Sequence, residues 1–105
     1  MAWIYLLIAS AAEIVWASSL KASEGYTKLP LVALNLVALA LAVFFLMQAM
    51  RVLPLGTSYA VWTGIGVAGS ALIGIFFLGE SVAPMRLIAI GTIIAGVAML
   101  RLVDG

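Results

Sequence analysis

Four stretches of almost entirely apolar residues, at roughly 2–20, 30–50, 56–78 and 84–103, constrain this chain more than any other feature. A helix of about 20 such residues crosses about 30 Å of hydrocarbon. Together the stretches take up nearly all of the 105 residues, 67% of which are hydrophobic and 9% charged. Soluble domains hold about 45–50% apolar and about 25% charged residues, so lipid is the expected solvent. The expected fold class is an all-α integral membrane protein of four transmembrane helices, with residues 1–105 as a single membrane domain. The first stretch has no basic leader and carries an acid at its middle, so it is expected to remain as a span and not to be removed as a signal. Without cysteine, disulfides and thiolate metal sites are excluded. Without histidine and with only four acids, no metal site or cofactor is expected. Neither enzymatic chemistry nor a nucleic-acid partner is expected of such a chain.

The connections between spans are short, KASEGYTK at 21–28, RVLPLG at 51–56 and GESVAP at 79–84, with Pro and Gly supplying the breaks. Neighbouring helices therefore run antiparallel, and function sits within the membrane or at its faces. With the N-terminus inside, the inner side holds Arg51 and Arg101 and the outer side holds Lys21, Lys28 and Arg86. So even a balance gives the positive-inside bias little to act on, and the chain is expected to insert both ways round. Many transporters obtain inward and outward states from inverted repeats within one chain. Residues 1–50 and 56–105 show no convincing repeat, so the second, inverted copy is expected from another subunit. Four helices of this length hardly enclose a polar pathway alone, which also predicts an oligomer.

Glu13 lies near the middle of the first span, where insertion scales set about 2.5–3.5 kcal/mol against an ionised carboxylate. Ser10, Glu13, Trp16 and Leu20 share one face of that helix, with Ala9, Ala12 and Ala17 beside them. Hydrocarbon, and a second Glu13 brought near in a dimer, favour the neutral acid, whereas an arriving cation favours the carboxylate. Proton and cation then compete for one site, the minimum chemistry of an antiporter. The plainer alternative is a protonated Glu13 hydrogen bonded to a neighbouring helix.

In the third span, GTSYAVWTGIGVAGS, Tyr59 and Trp62 are three residues apart and share a face with Gly66 and Gly69. Aromatic faces attract cations, and Tyr59 also offers a hydroxyl to a carboxylate. Both also fit an interfacial aromatic belt. Ala60, Gly64 and Ala68 form one small-residue ridge, and Gly66, Ser70 and Gly74 a second, so two helices can approach closely. Gly64, Gly66 and Gly69 within six residues also invite a kink, and so a hinge between access states. In the fourth span Gly91, Ala95 and Ala98 have small-residue spacing, the pattern of an association helix. The second span is apolar apart from Asn35 and Gln48 and is expected to wall the cavity.

AEIVWASSLKASEGYTKLP followed by LPLGTSYAVWTGIG resembles the small multidrug resistance exporters over essentially the whole chain and without gaps. The resemblance implies a multi-pass protein of the inner (plasma) membrane, working as an antiparallel dimer held by its fourth helices. It implies proton-coupled export of small organic cations, with the central glutamate at Glu13 and binding aromatics at Tyr59 and Trp62. Trp16, one turn beyond the glutamate, is the mark of the guanidinium branch, where an indole N–H holds the carboxylate; the polyspecific branch for bulky quaternary ammonium ions has glycine there. Two positions depart from the family pattern. Ser10 replaces a glycine and Ala42 replaces a serine, so the hydroxyl has either moved to Ser10, three residues from Glu13, or marks one half of a heterodimer or a broader substrate range. An anion channel disagrees with the buried acid of Glu13, and a non-transporting subunit needs only the small-residue ridges.

Overall fold

The computed structural model describes residues 2–104. In chain order the helices are α1 (Ala2–Ala22), α2 (Leu29–Met50), α3 (Leu55–Phe77) and α4 (Pro84–Asp104), and no strand occurs among the described residues. All four are long and apolar enough to span a membrane. Hydrocarbon offers the backbone no hydrogen-bond partner, and the helix meets that demand within each segment.

Helix ends are set by local chemistry. α1 runs two residues past the apolar stretch, and the Ser23 N–H bonds the Ser19 carbonyl at 2.9 Å to close its last turn. In α2, Pro30 occupies the first turn, where a missing N–H leaves nothing unpaired. α3 follows Pro54 without a side-chain cap of its own; the Thr57 hydroxyl in its first turn instead donates to the Asp104 carboxylate at the end of α4. It ends at Leu78 and Gly79, whose φ of +68° suits a residue without Cβ. The α1–α2 loop has three consecutive left-handed residues, Glu24, Gly25 and Tyr26, at φ of +50°, +76° and +71°.

α1 lies between α2 and α3, whereas α4 packs chiefly on α3 and touches α1 through Arg101 over the Trp3 ring. The result is flat, 41 × 34 × 16 Å, and a slab of that thickness encloses no central passage. Small residues let the helices approach: Ala9, Ala38, Ala42, Ala49 and Ala68 are buried, as are Gly66 and Gly74. The buried apolar cluster joins Leu6 and Ala9 of α1 to Leu46 and Ala49 of α2, then to Leu53 and Val61. Ile90 is the one buried residue of α4, so most of that helix faces outward.

Candidate functional site

Glu13 stands near the middle of α1, about 14–17 Å from its two ends at 1.5 Å per residue, hence near the bilayer midplane. Its side chain points at α3. A Cβ on Gly66 would stand 2.7 Å from Oε1 and closer still to Oε2 and the carboxyl carbon. Oε2 is buried, and the carboxylate has neither a hydrogen-bond nor an ion-pair partner among the described residues. The hydrogen-bonded structural acid is therefore not what the structure shows. An acceptor held at mid-membrane without a donor is prepared for a proton or a cation, since an unpaired buried carboxylate is strongly disfavoured.

The neighbouring turns of α1 are tied to both adjacent helices. From α3, the Trp62 indole N–H donates to the Ala9 carbonyl at 3.2 Å, one turn before Glu13. From α2, the Asn35 amide donates to the Trp16 carbonyl at 2.7 Å, one turn after it. Tyr59 stacks obliquely on Trp62, with ring centroids 5.7 Å apart, and is half exposed. It lines an open groove of about 780 Å³ together with Ala60, Thr63, Gly64, Val67 and Ile93. The hydroxyl of Thr63 is buried there without a partner. Trp62 thus belongs to the α1 side of α3, and Tyr59 reaches the groove beside α4.

α3 runs unbroken through Gly64, Gly66 and Gly69, and each glycine admits a neighbour. A Cβ on Gly64 would meet Val97 of α4 at 2.7 Å, and one on Gly69 would meet the Ile14 side chain of α1. The two small-residue ridges accordingly serve two different helices. On α4, nothing lies within 4 Å of a Cβ added at Gly91, and Ala95 is exposed.

Ser10 and Trp16 depart from their expected contacts. The Ser10 hydroxyl is fully buried and donates to the Leu6 carbonyl at 2.7 Å, one turn back in its own helix, and not to Glu13. A serine within a helix finds that carbonyl without any reorganisation. No hydrogen bond joins the Trp16 indole or the Tyr59 hydroxyl to Glu13. α2 does not simply wall a cavity, because Asn35 is buried against α1. Its signal in the sequence was a lone amide in an apolar span, a residue type that must find partners inside lipid.

Comparison with known proteins bears on what this arrangement does. The family model described as Small Multidrug Resistance protein matches residues 1–93. A guanidinium exporter of Citrobacter freundii is 49% identical over 102 residues, covering 97% of each chain. One of Yersinia pestis is 50% identical over 102 residues, covering 97% of this chain and 98% of its own. A guanidinium exporter of Salmonella typhimurium is 46% identical over the same length.

Proposed function

Because the chain belongs to the small multidrug resistance family, we propose that it is a proton-coupled antiporter, not an enzyme, that exports guanidinium or substituted guanidinium ions. The observation that carries the reading is the unpartnered carboxylate of Glu13 at mid-membrane, packed against a glycine. A planar cation with in-plane N–H donors pairs bidentately with such an acceptor. Trp16 flanks the carboxylate on α1, and Trp62 and Tyr59 supply the aromatic faces. Ser10 supports the turn of α1 before Glu13 through its bond to Leu6. Protonation neutralises Glu13 and releases the cation; deprotonation on the opposite side recaptures one. The relatives named as guanidinium exporters support this substrate class.

A flat protomer cannot surround its cargo, and the working unit of this proposal is an antiparallel homodimer. α4, with Gly91 and Ala95 on open faces, is its pairing helix. The balanced distribution of Arg51, Arg101, Lys21, Lys28 and Arg86 supports insertion in both orientations. One observation favours a second reading, export of bulky quaternary ammonium ions: the groove at Tyr59 is wide and lined largely by apolar groups.

Proton-coupled uptake in proteoliposomes, with guanidinium and a tetra-substituted ammonium compared, tests both. Guanidinium uptake should saturate and dissipate an imposed proton gradient. Glu13→Gln keeps the shape, removes the exchangeable charge, and should abolish coupled uptake while leaving the dimer assembled. Proton-driven exchange retained by Glu13→Gln sinks the mechanism, and a wild type that prefers the ammonium replaces the substrate class with the second reading.

A further inference from the structure

Asn35 is 1% exposed, in a helix that otherwise buries only Ala38, Ala42, Leu46 and Ala49. Packing alone has no need of an amide there, and an amide in hydrocarbon is strongly disfavoured unless its donors and acceptor are matched. Here they are all matched. Oδ1 accepts from the Tyr26 hydroxyl at 2.5 Å, and Nδ2 donates to the Trp16 carbonyl at 2.7 Å and to the Ser19 hydroxyl oxygen at 3.2 Å. The Ser19 hydroxyl in turn donates to the same Trp16 carbonyl at 3.0 Å. One side chain thus joins the α1–α2 loop, α2, and the backbone of the residue one turn beyond Glu13.

We propose that Asn35 is a positioning residue that fixes where the Trp16 indole stands relative to Glu13, and so sets the preference for planar cations bearing N–H groups. The proposal rests on the antiporter reading given above. Its force lies in which carbonyl is held: the bonded oxygen belongs to Trp16 itself, so the clamp acts at the point from which the indole departs. With Trp62 bonded to Ala9 on the other side, the turn carrying Glu13 is fixed at both ends by different helices, and Glu13 itself stays free. The outer end of the clamp is held against local preference. Tyr26 has φ of +71°, a region that non-glycine residues avoid, and it follows Glu24 and Gly25 in the same region. A planar guanidinium depends on oriented acceptors, whereas a quaternary ammonium has no N–H donor and depends on charge and space. Loss of the clamp should therefore weaken the first ion selectively.

The test compares wild type, Asn35→Leu and Tyr26→Phe, each labelled with fluorotryptophan and reconstituted in proteoliposomes. Asn35→Leu keeps the volume and removes all three bonds; Tyr26→Phe removes only the outermost. Asn35→Leu should lower kcat/KM for guanidinium about tenfold, with the value for a tetra-substituted ammonium nearly unchanged. Tyr26→Phe should shift the ratio the same way by less. The fluorine resonance of Trp16, assigned through Trp16→Phe, should move in both variants while that of Trp3 stays. Should Asn35→Leu fail to assemble, Tyr26→Phe decides alone. An unmoved Trp16 resonance, or equal losses on both substrates, overturns the positioning role. Absence of guanidinium transport by wild type speaks against the antiporter reading instead, and the resonance still decides whether Asn35 places Trp16.

Discussion

Gly66→Ala probes the contact on which the site depends. The added Cβ would stand 2.7 Å from Oε1 of Glu13, and closer to Oε2, where nonbonded heavy atoms prefer about 3.5–4.0 Å. The carboxylate must therefore retreat by roughly 1 Å, because the α3 backbone is held through Trp62 and Gly69 while the end of a glutamate side chain is free to swing. Overpacking of this kind costs about 1–3 kcal/mol, which as lost substrate affinity is about 5- to 150-fold. Gly69→Ala supplies the contrast. It presses on Ile14, with Cγ1 at 2.8 Å, and strains the same helix pair without touching the carboxylate. In proteoliposome uptake assays, Gly66→Ala should raise KM for guanidinium several-fold or more with thermal stability in detergent little changed, and Gly69→Ala should do the reverse. If Gly66→Ala transports with the wild-type KM, or if the two variants lose affinity and stability in the same proportion, the glycine is a packing residue and Glu13 is not placed by it.

Two further outcomes are expected. Two lysines added to the loop at 51–54 should lock insertion and lower activity until an oppositely locked copy is coexpressed; full activity from one locked species, seen by labelling of both loops, rules out dual insertion. Trp16→Gly should admit larger cations and weaken guanidinium uptake by about 10-fold or more, whereas Ser10→Ala should change it by less than about threefold, because that hydroxyl is committed to Leu6. Uptake of both cations by the two variants checks this, and a loss in Ser10→Ala as large as that in Trp16→Gly would return Ser10 to the carboxylate.

The spans, and the carboxylate between them, were legible because hydrocarbon permits so little else: apolar length marks a helix, and an acid at its centre stands out. Small-residue spacing along α3 likewise foretold two close neighbours, now seen as α4 at Gly64 and α1 at Gly66 and Gly69. Hydrogen-bond partners were less legible. Ser10 lies at the right spacing to reach Glu13, yet a carbonyl of its own helix is nearer and always present. Asn35 announced only that it needs partners; that they are Tyr26, Ser19 and the Trp16 carbonyl depends on how α2 turns about α1, which pattern in one helix does not specify.

α4 packs chiefly on α3 and reaches α1 at its C-terminal end, where Arg101 lies over the Trp3 ring, whereas the turn of α1 that carries Glu13 is held from α2 and α3. Substitutions on the outward faces of α4 therefore leave the geometry around the carboxylate untouched. In the dimer proposed above, a duplicated copy is thus free to drift along those outward faces until it prefers a sister chain over itself, without moving Glu13.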